Sequence, residues 1–192
     1  MPESSSAAER TRRAILEAGI EVLASNPGAP LAEVAEKAGV SRSTLHRYFS
    51  DRSALRAAAT ELAGQAWRDV ANRARLEEGT GFEAYRRLCT ELLDSLSILI
   101  WWWASTADAA QLNPEEPDET EERIGAMIDR GHRDGTIDPQ LSVEWLASSV
   151  WAMLYMVHHL PAESGGKING FEARQQAIRT LLKAAAADPT AL

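Results

Sequence analysis

Cysteine is all but missing from this chain. Cys89 stands alone, so an intramolecular disulfide and an all-cysteine metal site are both excluded, which fits a reducing compartment. Long apolar runs are missing as well: nothing approaches the roughly 20 residues that a bilayer-crossing helix needs. The opening "MPESSSAAER" lacks the basic segment and apolar run of a secretory signal. The expected location is cytoplasmic. Period-2 alternation and β-branched runs are scarce while alanine and leucine are prominent, a balance that leans helical. No internal repeat, glycine-rich phosphate loop or nucleophile elbow is present, so nothing marks an enzyme or calls for a cofactor.

Aromatics are few, with three Phe, three Tyr and six Trp. Three of those tryptophans are consecutive, in "SILIWWWAST" at 97 to 106. On a helix successive residues point about 100° apart, so a triplet cannot share one face. Some of that aromatic surface is directed at something other than a core.

The net charge of −8 is unevenly spread: residues 1 to 60 carry eight Lys/Arg against seven Asp/Glu, and residues 61 to 192 carry twelve against 21. An acidic body with a neutral to basic head is compatible with DNA contact through the head alone, because counterion release depends on the charges at the interface.

Along the chain, residues 1 to 8 are small and polar and are expected to be a disordered tail. From about Glu9, Ala14, Ile15, Ala18, Val22 and Leu23 recur at helical spacing until "SNPG". Pro30 suits the first turn of a helix over 31 to 38, and Gly39 stops it. Ser41 is a natural N-cap for a helix over 42 to 49, so two short helices meet through a tight turn, the helix-turn-helix pattern. A long helix is expected from about Asp51 to the "EEGTG" turn near residue 79. Others are expected over about 82 to 105, 117 to 134, 142 to 160 and 170 to 186, separated by "NPEEPD", "DGTIDP" and "PAESGGKING". The expected fold is all-α.

The segment "AEVAEKAGVSRSTLHRYFSDRSAL" resembles the TetR family of transcriptional regulators over roughly residues 10 to 56. Matching residues are Ile15 and Ala18, Val34 and Ala35, Ala38-Gly39-Val40-Ser41, Thr44 and Leu45, Tyr48 and Phe49, Arg52 and Leu55. The resemblance implies a head over 9 to 56 that binds DNA through its helix-turn-helix. The larger helical bundle over 57 to 192 would bind an effector and dimerise. The implied function is a ligand-responsive regulator, in the main a repressor, that binds a pseudo-palindromic operator as a homodimer and is released by a small hydrophobic or aromatic effector. Two departures from the family pattern stand out. His46 takes the place of a more usual backbone-contacting tyrosine, and Ala29-Pro30 replaces threonines that often cap the second helix.

Chemistry agrees with the resemblance. Leu45 and Phe49 are i,i+4 partners able to anchor the second helix of the motif, leaving Arg42, Ser43, Thr44, His46, Arg47 and Tyr48 on its surface. Arg42 or Arg47 suits a guanine O6/N7 edge, and Ser43, Thr44 and Tyr48 suit phosphate or methyl contacts. Thr11, Arg12 and Arg13 near the first helix, and Arg52 at the start of the fourth, are the expected backbone clamps, with Ser41 at the helix start beside them.

In the body, Tyr85, Leu88, Leu92, Leu96, Leu99 and Trp103 form one stripe on the helix expected over 82 to 105, placing Trp103 in the core. Trp101 then falls with Asp94 and Ser97, and Trp102 with Ile98, Ser95 and Glu91. These neighbours suit a ligand cavity with apolar walls and a few polar groups. Trp67, Met127, Trp151, Tyr155, His158 and His159, with Met153 and Met156, complete the candidate lining. An inward Asp94 or Glu91 would favour a lipophilic cation; otherwise a neutral aromatic or polyketide-like effector suits as well. The competing reading has Trp101 and Trp102 merely packing near Trp67 or within a dimer contact. Dimerisation is expected through the last two long helices.

Other classes fare worse. His158 and His159 are adjacent and diverge on a helix, so no metal site is expected. Ser148, His159 and Asp94 lack the local motifs of a catalytic triad. The alternative from another class is a helical small-molecule-binding or scaffolding dimer without sequence-specific DNA binding, against which Arg42, Arg47 and Arg52 argue.

Overall fold

The structure is a computed structural model that describes residues 3 to 112 and 118 to 188. Among these, nine helices follow one another: α1 Glu3–Ser25, α2 Leu31–Lys37, α3 Arg42–Tyr48, α4 Arg52–Ala74, α5 Gly81–Asp94, α6 Leu96–Leu112, α7 Glu119–Asp134, α8 Val143–Glu163 and α9 Gly170–Ala185. The only β pairing among the described residues is an isolated bridge between Ile137 and Ala186. The all-α expectation holds. None of the described helices is long and apolar enough to cross a membrane.

One compact unit takes the chain up to Ala66 together with Ser97–Asp108. Its core joins Ile15, Leu16, Ile20 and Leu23 of α1, Val34 and Ala35 of α2, Leu45 and Phe49 of the α3 segment, and Leu55, Ala59 and Ala63 of α4. The turn between α2 and α3 is closed by Gly39, whose φ of 66° lies in the left-handed region that side chains with a Cβ resist. Ser41 caps α3, its hydroxyl accepting from the Thr44 amide at 3.1 Å. Pro30 at the start of α2 makes no side-chain cap, as the Ala29-Pro30 departure implied. α1 begins at Glu3, ahead of the expected start near Glu9, so residues 3 to 8 are helical where a disordered tail was expected.

The second unit takes Trp67–Leu96 and the chain from Ala109 onward. α5 and α7 meet backbone to backbone, since a Cβ on Gly81 would run into Gly131. Capping boxes start α5 (Thr80 with Glu83), α7 (Asp118 with Glu121) and α9 (Asn169 with Glu172), each satisfying otherwise orphaned helix amides. α4 stops at Ala74, short of the expected turn near 79, because Arg75 adopts a φ of 49°. The exposed carbonyls there are taken by Arg87, which donates to Ala74 at 2.7 Å, Arg75 at 2.9 Å and Glu78 at 2.6 Å. α8 runs past its expected end and through Pro161 to Glu163.

The helix expected over 82 to 105 is in fact two. Ser95 breaks it at φ −102°, its amide shared between the Glu91 and Leu92 carbonyls, and its hydroxyl accepts from Arg73 Nη2 at 3.1 Å. A break resets the helical phase. Trp103, expected in the core, is therefore 47% exposed, whereas Trp101 is only 4% exposed.

Candidate nucleic-acid interface and effector residues

α3 is a short helix divided into two faces. Leu45 and, just beyond its end, Phe49 are buried, while Arg42, Ser43, His46 and Arg47 are exposed and Thr44 and Tyr48 are half-buried. The surface presented is five-donor guanidinium groups, hydroxyls and an imidazole on a rigid element with a fixed anchor, the combination that base-edge and phosphate reading requires. Arg47 lies 5.5 Å from the Tyr48 ring centroid, a contact that lends direction to its guanidinium. Arg42 and His46, one turn apart, share with Pro30, Leu31, Ala32 and Leu45 a cleft of about 260 Å³ between α2 and α3. Ser41 is engaged inside the motif, bonding Ser43 and Thr44 hydroxyls at 2.9 Å.

The expected backbone clamps divide into two kinds. Arg12 sits 5.6 Å from the Phe49 ring centroid, beside the end of α3, whereas the Thr11 hydroxyl donates within α1 to the Ala7 carbonyl at 2.9 Å. Arg13 is ion-paired to Glu17 on an exposed stretch of α1. Arg52 differs from its expected role: its guanidinium donates to the carbonyl of Pro27 at 2.6 Å and also to that of Ala29. It ties the start of α4 to the turn after α1, so its guanidinium is engaged within the protein. Asp51 caps α4 by accepting from the Ala54 amide at 2.8 Å, and this bond, with the one from Ser50, holds its carboxyl below its ordinary value.

The expected effector residues are taken up within each unit by their own neighbours. Trp67 and Trp151 meet with ring centroids 5.3 Å apart and planes tilted by 40°, and Trp67 Nε1 donates to Asp118 Oδ2 at 2.6 Å. Trp67 and Met127 are buried, whereas Trp151 is half-buried. Further along α8, Tyr155 stacks against His159 at 4.2 Å, and His158 meets His159 edge-on at 4.7 Å. Burial, then the neighbouring His159 charge, lowers the pKa of His158. Asp94 is ion-paired to Arg174 of α9, which also donates to the Leu93 carbonyl. Ser97 and Trp102 lie, with Trp101, in the DNA-reading unit, where Trp102 packs on the head core. Among the described residues no three His, Cys, Asp or Glu side chains cluster as they would around a metal ion.

A family model described as bacterial regulatory proteins, tetR family, matches residues 15–59. The chain is also 33% identical over 150 residues to the HTH-type transcriptional repressor LfrR of Mycolicibacterium smegmatis, covering 78% of each chain. The chain belongs to the TetR family. Crystal structures of the TetR-like regulator LfrR from Mycobacterium smegmatis agree in fold: one has a TM-score of 0.66 at 26% identity, covering 93% of this chain and 98% of the other. A second, in complex with proflavine, has a TM-score of 0.62 at 27% identity, covering 93% and 97%. As a TetR-family member the protein is a DNA-binding transcriptional regulator and not an enzyme.

For a TetR-family chain the sequence leaves three informative residues unread. Asp118 was visible only as part of a break, although "DETE" is a capping-box signal that places a carboxylate at the head of α7. Arg56 and Thr60 give no local signal, because their significance depends on the phase of α6, and the Ser95 break changes that phase.

Proposed function

We propose that this TetR-family protein is a repressor that binds a pseudo-palindromic operator as a homodimer and is released by a planar aromatic cation. The observation that carries the reading is α3 itself, with Leu45 anchored in the head core and Arg42, His46 and Arg47 all exposed on the other side. Arg42 and Arg47 supply base-edge donors; Ser43, Thr44, His46 and Tyr48 supply contacts to phosphate and methyl groups, aided by Thr11 and Arg12.

One head offers few base contacts, and a two-fold dimer doubles them. Support for self-association comes from α8 and α9, which carry Trp145 at 64% and Phe171 at 71% exposure together with exposed Tyr155 and Met156. Beside these, Met153, Met156, Val157, Leu160, Ala173 and Ala177 line a shallow groove of about 190 Å³ between the two helices. Apolar surface of this kind is what a second copy would cover.

For the effector, the relative LfrR has been crystallised with proflavine. The residues here that suit such a ring are the half-buried Trp151, with Trp67 against it and the carboxylate of Asp118 bonded to Trp67. Glu119, Glu121 and Glu122 add negative charge in the same first turn of α7. Apolar aromatic surface plus fixed negative charge favours a planar cation. A location in the cytoplasm follows from a DNA partner.

Selection of bound sequences from a random duplex pool tests the reading. Recovery of an inverted repeat whose affinity falls with salt and on adding proflavine is the expected result. Weak association with all sequences alike would instead support a binding or scaffolding dimer that does not read DNA.

A further inference from the structure

Every passage of the chain between the two compact units falls inside a helix: after Ala66 in α4, and after Leu96 and Asp108 in α6. The DNA-reading unit thus holds its own portions of α4 and α6. Whatever fixes those portions to each other also fixes the directions in which both helices leave the unit.

One side chain dominates that junction. Trp101, the first of the triplet, is 4% exposed and belongs to the same core cluster as Ile15, Leu55, Ala59 and Ala63. Its indole N–H donates to Thr60 Oγ1 at 3.2 Å, and the Thr60 hydroxyl donates onward to Ser105 Oγ of α6 at 3.5 Å. The Arg56 guanidinium lies 4.9 Å from the Trp101 ring centroid. Arg56 and Thr60 are one turn apart on α4 and so share a face. Apolar burial alone would set how deeply the indole sits; a hydroxyl acceptor at its edge and a cation over its face also set its rotation. Ile98 and Trp102 pack on the same core from α6.

We infer that Trp101 is a positioning residue for operator reading: its seat on Arg56 and Thr60 fixes the angle between α4 and α6, and through these helices the separation at which the two heads of the dimer meet DNA. The inference rests on the dimeric reading above and names the joint on which that reading depends.

The test uses the full-length protein, duplexes carrying a single half-site, and inverted repeats whose half-site spacing changes one base pair at a time. Wild type is expected to favour one spacing over its neighbours by at least about tenfold, since half-site spacing mirrors a fixed head separation. Trp101→Phe keeps a buried ring but loses the N–H, and Thr60→Val loses the acceptor. Both are expected to cut that preference to about threefold or less while single half-site affinity stays within about twofold, and Thr60→Ser to keep the wild-type preference. The inference is overturned if Trp101→Phe and Thr60→Val retain the sharp preference. It is equally overturned if they lose half-site and full-site affinity in parallel, as a purely structural core residue would. A wild type that gains nothing from a second half-site at any spacing overturns the dimeric reading as well, and is thereby distinguished from failure of the joint alone.

Discussion

Arg52 begins α4 yet donates from Nη1 to the Pro27 carbonyl oxygen at 2.6 Å, 25 residues back in the chain. With Ala29 as a further acceptor, the guanidinium closes the turn between α1 and α2 against the helix that follows α3. Arg52→Ala hands the exposed Pro27 carbonyl to water and leaves the part-buried Ala29 carbonyl without its donor, and is expected to destabilise the protein by about 1 kcal/mol. Arg52→Lys should recover little of this, because one ammonium cannot span carbonyls that a planar fork reaches together. Denaturant unfolding of both variants checks this; a midpoint equal to wild type for Arg52→Ala would show that the bonds add nothing net.

Arg47 is the exposed α3 cation whose direction is set by a neighbouring ring, at 5.5 Å from Tyr48. Arg47→Ala is expected to lower affinity for the selected operator by about 1–3 kcal/mol and to relax the base preference at one position of each half-site. Arg13→Ala offers the contrast, since Arg13 is exposed and already paired with Glu17 at 2.8 Å. Titrating both variants against the operator and against a shuffled duplex separates base reading from general charge. Equal losses on both duplexes would reassign Arg47 to the phosphate backbone.

His158 has its pKa lowered from 6.5, first by burial and then by the charge of His159. A lowered folded value means that the unfolded chain binds protons more readily. Stability from this group is therefore complete above about pH 6.5 and is lost as pH falls through that value toward the folded pKa. Thermal melts between pH 8 and pH 5 should show a smaller acid-side loss in His158→Gln than in wild type. Identical pH profiles would show that the imidazole gains its proton as easily folded as unfolded.

The head was largely legible in the sequence because its determinants are local. Apolar spacing, Gly39 in the turn and Ser41 at the cap each act within a few residues, and each is found where expected. The body was legible as helices but not as a site. The apparent stripe from Tyr85 to Trp103 has no local flaw, yet the helix breaks at Ser95, whose hydroxyl accepts from Arg73, 22 residues away. Once the phase is reset, Trp101 turns into the head core and Trp103 is exposed. Asp94 likewise answers to a partner 80 residues on, Arg174. Periodicity reports which residues share a face, but only while the helix is unbroken.

Trp151 is half-buried against Trp67, whose indole N–H donates to the Asp118 carboxylate at 2.6 Å. A planar cation such as proflavine would stack on the Trp151 ring, where ring quadrupole and carboxylate act in the same sense. Trp151→Ala removes the stacking surface and is expected to weaken proflavine binding about tenfold, and Asp118→Asn to weaken it less, by removing charge while keeping an acceptor for Trp67. Ligand fluorescence titrated against each variant gives both numbers. The accompanying control is 1-naphthol, a neutral ring: Asp118→Asn should leave its affinity unchanged, because no charge is there to be met. If Trp151→Ala binds proflavine as wild type does, the effector lies elsewhere in the body, and the pair of tryptophans serves only to pack α8 on the end of α4.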